Sequence, residues 1–469
     1  MPRVPMSDIL VLLPGIMGSA LRRDGKLVWG FAPGALGSAL FSRGKAICDG
    51  LMLQQDHPEA DDLGDGVTAS ELIPDLHLLP GVWKIDGYTR VANVIQKRFD
   101  VRENENLFLF AYDWRRDNRV AANRLQRESR DWLKAWREKT NNPDAKLILI
   151  GHSMGGLISR WFLEVLGGWK DTRALITFGT PYRGSLNAVD GLSNGVRKGP
   201  LGFMDLTALA RSLTSLHQLL PIYPCYDDGD GQLLRVGETD RVPNIDPARA
   251  ADALAFHRTI EAANEANRQD AAYMEARYRI HPIVGTGQET FQSARRNGGG
   301  VEMSHSLEGQ NWSGDGTVPR ISATPLELSN EGREMFAATQ HASLQNADAV
   351  LTQLEGFLTG LRLDQTVFRG PARTIALEVE DLLLEDEPLV LRARVGGEAA
   401  EDDEVRLHAE IMDGRTGEVA RRAELLGAGD GWLEARLSSL PPGSWRVQVH
   451  GKGLPTVEDA FAVAAKHRS

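Results

Sequence analysis

The feature that most constrains this chain is the pentapeptide Gly151-His152-Ser153-Met154-Gly155, set directly behind the apolar run Leu147-Ile148-Leu149-Ile150. A strand that turns this sharply can lift a serine Oγ above a sheet only if glycines flank it, because a Cβ two residues away would crowd the turn. A helical stretch from Gly156 to Leu166 follows, and then a second strand-like run with a glycine exit, Ala174-Leu-Ile-Thr-Phe-Gly179. Strand, elbow, helix, strand is the order of an α/β-hydrolase with a mostly parallel sheet, in which the serine is a nucleophile and the Met154 N–H lies beside the reacting carbonyl.

An elbow serine needs a base and an orienting acid, which in this architecture follow it in the order Ser, Asp/Glu, His. Asp315 stands in Ser313-Gly-Asp-Gly-Thr-Val-Pro319, beyond the strand-like Ile280 to Gly285 and a hairpin-like stretch. Its other reading is an ordinary Asp-Gly turn residue. His341 follows the strand-like Glu334 to Thr339 and precedes the helical Ala347 to Leu358. His152, His217, His257 and His281 are poorer candidates by position, and His305 is the remaining rival.

Several segments together resemble the lecithin:cholesterol acyltransferase family, which includes lysosomal phospholipase A and phospholipid:sterol acyltransferases. They are Val11-Leu-Leu-Pro-Gly-Ile-Met-Gly-Ser19, Lys26-Leu-Val-Trp29, Tyr112-Asp-Trp-Arg115, the elbow, Thr177 to Ser185, Leu219-Leu-Pro221, Gly314 to Pro319 and Gln340-His341. The resemblance runs from about Ile9 to about Leu358. It implies Ser153 as nucleophile, Asp315 as acid and His341 as base, with the backbone N–H groups of Ile16 and Met154 as the oxyanion hole. The chemistry it implies is acyl transfer through an acyl-enzyme, to water or to an alcohol, which the sequence does not choose between.

Other motifs read as structural. Asp113 and Arg115, two apart after an apolar strand, are expected to form a buried ion pair, and Trp29 is read as core although it resembles the family's tryptophan near the acyl pocket. From Tyr182 to Tyr278 the pattern changes to helices and loops without strands, and Leu206, Leu209, Leu213, Leu216 and Leu220 recur at helical spacing. This predicts a helical cap, part of which lines the acyl pocket. Segments Ser38 to Leu72 and Pro200 to Gly202 are expected as mobile surface loops. Leu51, Met52 and Leu53 are weighed as lipid-touching residues against ordinary packing.

The chain has 469 residues, 42% hydrophobic and 25% charged, with a formal net charge of -11. That charge disfavours nucleic acid and offers no global attraction to anionic lipid. No long apolar run marks a leader or a membrane span, and only Cys48 and Cys225 are present, so a cytoplasmic, reducing location is expected, with peripheral membrane contact left open. A Cys48–Cys225 bridge is the alternative. No metal spacing appears, Gly298-Gly-Gly300 lacks the setting of a phosphate cradle, and no cofactor is expected.

After Leu361, six stretches from Thr374 to Val463 alternate apolar and polar between Gly, Pro and Asp turns, which predicts an all-β sandwich of immunoglobulin size. From Thr366 onward there are 13 Lys/Arg against 19 Asp/Glu, so this module is no tether to anionic membranes, and Glu401 to Glu404 reads as a solvated loop, with calcium the alternative. The expected organisation is a hydrolase domain over 1–361, with cap or lid insertions at about 38–72 and 182–278. An immunoglobulin-like β-sandwich over 372–465 follows as a separable module, joined by a linker near 364–371. The expected function is a phospholipase A or lipase acting on acyl esters of lipid. The alternatives are a lipid acyltransferase or a partner-regulated effector whose sandwich docks a protein.

Overall fold

The computed structural model describes residues 3–30, 50–75, 87–198, 204–276, 278–329, 334–359, 373–397, 406–429 and 431–465. Cys48, Pro200 to Gly202, the linker and the Glu401 to Glu404 turn lie outside the described residues.

The central sheet is built from β1 (Ile9–Leu13), β2 (Leu107–Leu109), β3 (Leu147–His152), β4 (Thr172–Phe178), β5 (Arg279–Gly285) and β6 (Met335–Ala337). Its order is β6-β5-β4-β3-β1-β2, and all five pairings are parallel. The uninterrupted apolar runs follow from this, because both faces are covered. Ile9, Val11, Leu13, Leu147 and Leu149 pack on one side with the helices at Asn118–Thr140 and Met154–Arg160. Leu10, Leu12, Ile148 and Ile150 pack on the other with the helices at Thr89–Arg98 and Asp348–Thr359. Successive residues of one strand therefore serve opposite cores. Asp113 and Arg115 form the expected buried ion pair, at 2.6 Å and shared with Asp65. Trp29 is buried edge-on against Trp114.

The cap differs from its sequence reading in two ways. It contains short strands: Tyr226–Asp227 and Leu233–Leu234 join the hairpin Ser293–Asn297 and Gly300–Ser304 in a four-stranded sheet. Two-residue strands carry no alternation by which a sequence could announce them. The leucine stripe is not one helix but two, Thr207–Ser212 and Thr214–His217, broken at Leu213, whose ψ is 120°. All five leucines are nonetheless buried.

Leu51 and Leu53 are core residues rather than lipid-facing ones, at 0% and 8% exposure. Their segment is held by Arg115, which donates to the Leu51 carbonyl at 3.4 Å, and by the Ser212 hydroxyl, which accepts from the Leu53 N–H at 3.2 Å.

The C-terminal part is all β: β7 (Arg373–Val379), β8 (Leu382–Leu384), β9 (Leu389–Gly397), β10 (Leu407–Asp413), β11 (Val419–Gly429), β12 (Trp432–Leu437), β13 (Gly443–Gly451) and β14 (Val457–Ala464). They run β7-β9-β12-β11-β10-β13-β14-β8, a sheet that curls over a core including Leu391, Ile411, Val447 and Phe461. Strand β7 lies at one end of that order, so one row of its backbone groups faces away from the sheet.

Candidate active site

Strand β3 ends at His152, and Ser153 stands at the turn into the next helix with φ 51° and ψ -121°, a conformation unusual for a residue with a Cβ. The glycines beside it are sterically required. A Cβ on Gly151 would come within 2.8 Å of the Gly156 nitrogen, and one on Gly155 within 2.6 Å of the Leu13 and Pro14 carbonyl oxygens. Backbone atoms cannot step aside, so these two contacts fix the G-x-S-x-G spacing.

The structure brings Ser153, His341 and Asp315 into one hydrogen-bonded row. His341 Nε2 lies 2.9 Å from Ser153 Oγ, and His341 Nδ1 lies 2.8 Å from Asp315 Oδ2. Asp315 is 1% exposed, and its Oδ1 accepts from the N–H groups of Thr317 at 2.9 Å and Val318 at 2.7 Å. The Gly-Asp-Gly-Thr-Val segment thus satisfies Oδ1 from its own backbone, leaving Oδ2 to hold the imidazole. The backbones are tied as well, since the His341 N–H donates to the Asp315 carbonyl at 2.8 Å.

Two glycines outside the elbow make room for this row. At Gly179, where φ is +54°, a Cβ would lie 2.8 Å from Asp315 Oδ2 and 2.9 Å from His341 Nδ1. At Gly285, the end of β5, it would lie 2.3 Å from the Asp315 Cβ. Gly179 was visible in the sequence as a strand exit, but its contact with the acid and base was not.

Ile16 lies in the loop after β1 and lines the cavity above Ser153, and its N–H has no acceptor among the described residues. Met154 is the first residue of its helix, where the N–H has no intrahelical acceptor. Both amides therefore have the loop and helix-start settings of an oxyanion hole.

A second row, unforeseen from the sequence, braces the first. The Gly15 N–H donates to the Tyr88 hydroxyl at 2.7 Å, and that hydroxyl lies 2.8 Å from His152 Nδ1. The hydroxyl, already an acceptor, donates to Nδ1, so His152 carries its proton on Nε2 and donates to the His341 carbonyl at 3.1 Å. Complete burial pushes the His152 pKa down to about 3, so the ring stays neutral, and the neighbouring His341 acts in the same direction. The Ser153 turn, the Gly15 loop and the His341 backbone are joined through one imidazole.

The competing histidines are elsewhere. His217 and His257 are buried on main-chain carbonyls of the cap, His281 packs on Phe357, and His305 packs on Phe291. Cys225 is a free, buried thiol whose pKa burial raises to about 12, which makes it a poor nucleophile. Among the described residues no group of three His, Cys, Asp or Glu converges as a metal site, and no helix is long and apolar enough to cross a membrane.

Ser153 and His341 open onto a cavity of about 700 Å³. Its lining includes the apolar Ile16, Pro181, Ala188, Leu216 and Leu219, together with Glu378, Val390 and Arg392 of the C-terminal strands. The C-terminal strands are also bonded to the loops beside the site. The Gln288 side chain donates to the Ile375 carbonyl at 2.9 Å and accepts from the Leu377 N–H at 3.3 Å. Gln340 donates to the Leu377 carbonyl at 2.9 Å. Arg394 is ion-paired with Glu289.

The sequence model of the lecithin:cholesterol acyltransferase family matches residues 79–267. Among solved structures, Bacillus licheniformis lipase BlEst2 is similar in its mature form at 13% identity, over 75% of this chain and 91% of that one, with a TM-score of 0.31. The propeptide form of the same lipase is similar at 13% identity, over 98% of this chain and 75% of that one, with a TM-score of 0.32. A Bacteroides vulgatus protein described as a putative glycoside hydrolase matches 19% of this chain at 16% identity and a TM-score of 0.16, and the match spans 17% of that chain's length. No curated protein matches this sequence.

Proposed function

We propose that this chain hydrolyses acyl esters of lipid by a serine mechanism, as a phospholipase A or lipase. The observation that carries the reading is the unbroken row Ser153 Oγ, His341, Asp315, with spacings of 2.9 and 2.8 Å, lining a cavity to which apolar side chains also contribute. In this mechanism His341 removes the Ser153 proton as Oγ attacks the ester carbonyl, and Asp315 holds the tautomer and balances the imidazolium. The Ile16 and Met154 N–H groups receive the developing oxyanion. His341 returns the proton to the departing alkoxide, and water activated by the same base releases the acid from the acyl-enzyme. The apolar Leu216 and Leu219 in its lining suit an acyl chain.

An alcohol in place of that water would give an acyltransferase, a reading that the family match over 79–267 supports equally well. The domain reading is a hydrolase over 1–361 with insertions at 38–72 and 182–278. An immunoglobulin-like sandwich follows over 372–465, supported by the order of its eight strands. The free Cys225 thiol supports a reducing, cytoplasmic location.

The test is product mass spectrometry after incubation with mixed liposomes, with and without a sterol or simple alcohol, comparing the native chain with Ser153→Ala. Free fatty acid and lysolipid from the native chain alone are expected. Ester products that appear only with the alcohol would replace hydrolysis by transfer, and equal yields from both chains would overturn the site assignment.

A further inference from the structure

We propose that the C-terminal sandwich is half of the active site, its outward face at Glu378, Val390 and Arg392 forming the subsite for the alcohol side of the ester. The proposal rests on the ester-hydrolase reading above and adds which part of the substrate meets which part of the protein.

Two observations carry it. The first is the way the sandwich is attached. Its end strand β7 would leave a row of backbone N–H and C=O groups unpaired, and such a row must find partners when buried. Those of Ile375 and Leu377 are taken by Gln288 and Gln340. Gln288 directly follows Gly287, which closely faces Thr374, and its own N–H donates to the Gly314 carbonyl, next to Asp315. Gln340 directly precedes His341. The loops that deliver the acid and the base are thus the loops that hold the sandwich, and their rigidity is shared.

The second is the polarity of the cavity. In β7 and β9, Leu377, Leu389 and Leu391 point into the sandwich core. The alternate residues Glu378, Val390 and Arg392 point outward and line the cavity that contains Ser153, with Leu377 and Val379 reaching its edge from the same strand. Glu378 and Arg392 face one another across the two strands at 3.4 Å, both more than two-fifths exposed. The cap contributes the apolar Ala188, Leu216 and Leu219 to the same cavity. A lipid ester has the same two-sidedness, an acyl chain on one side of the carbonyl and a hydrogen-bonding alcohol on the other. Each half is matched when the chain lies on the cap and the alcohol on the sandwich.

The test uses the full chain and two ester series. In one, butanoate is fixed and the alcohol is methanol or glycerol; in the other, methanol is fixed and the acid has four or ten carbons. Val390→Trp should lower the glyceryl-to-methyl ratio of kcat/KM at least tenfold while shifting the ten-to-four-carbon ratio less than twofold. Val390→Ala, which removes atoms from an outward position and so cannot clash, should raise the glyceryl-to-methyl ratio. Fluorophosphonate labelling of Ser153 is measured in every variant, so a failed nucleophile is distinguishable from a failed subsite. If labelling persists and the alcohol ratio is unchanged, or the acyl ratio moves instead, the proposal is overturned. A rise in turnover of every ester by Val390→Trp would likewise overturn it, making the wall an obstruction.

Discussion

At the scale of single residues, the Ser153 hydroxyl can be removed with little disturbance, because the turn is set by its neighbours' lack of a Cβ. Ser153→Ala is expected to keep its unfolding midpoint and to lose fluorophosphonate labelling and p-nitrophenyl butyrate turnover by at least about three orders of magnitude. Labelling at the native rate would refute this. Gly179→Ala is a stricter test of geometry. The new methyl would stand 2.8 Å from the Asp315 carboxylate on a backbone with φ +54°, so acid and base must part. Misplacement on the order of 1 Å costs about a hundredfold, and a fall of that size in kcat with a smaller change in KM is expected from steady-state kinetics.

His152 gives a prediction in pH. Its folded pKa of about 3 lies below the ordinary histidine value of about 6.5, so in that window the unfolded chain binds a proton that the folded chain refuses. Stability is therefore full above about pH 6.5 and falls as the pH drops, by up to about 1.4 kcal/mol per pH unit from this group. Guanidinium unfolding at pH 7.5, 6.0 and 5.0 should show the decline, and His152→Gln should make it shallower. An unchanged slope in that variant would assign the acid sensitivity to other groups, His217 first.

At the scale of elements, the segment around Leu51 shows how a correct local reading can still misplace a residue. Three apolar side chains in a Gly-rich stretch look exposed when nothing nearby in sequence could cover them. Their segment is drawn into the core by Arg115 and Ser212, which bond its backbone from positions that no window of sequence contains. Replacing Leu51, Met52 and Leu53 together by serine should accordingly destabilise the fold by about 3 kcal/mol or more and lower hydrolysis of liposomes and of soluble esters alike. A loss on liposomes alone would return these residues to the lipid surface. The parallel strands were legible because burial on both faces leaves no polar alternation, and the sandwich strands were legible because one buried face does. Ser153, Asp315 and His341 could be picked out by chain order and flanking glycines. Tyr88 and the His152 brace could not, since a tyrosine 64 positions from its partner carries no local mark. Gln288 and Gln340 were hidden for a related reason: a side chain that caps a backbone edge imposes no residue type on the strand it caps.

At the scale of the whole molecule, the sandwich changes what a truncation should do. A chain ending near Gln365 keeps Ser153, Asp315 and His341 but loses the strand on which Gln288 and Gln340 are seated. Turnover of a soluble ester is expected to fall at least tenfold, and labelling of Ser153 to slow. Full retention in a folded truncated chain would mean that the acid and base loops are rigid without it, and increased turnover would make the sandwich a cover.

The capped end strand also orders events during synthesis. The elbow lies in the first third of the chain, the acid and base in the third quarter, and the strand that steadies both loops follows only after residue 372. A nascent chain folds from its N-terminus as it emerges. It therefore passes through a long interval in which the Ser153 turn can form while the loops of Asp315 and His341 still lack the strand that holds Gln288 and Gln340. Under the proposed function, ester hydrolysis would begin only after residues 373–464 have been made, so its onset would follow the progress of translation.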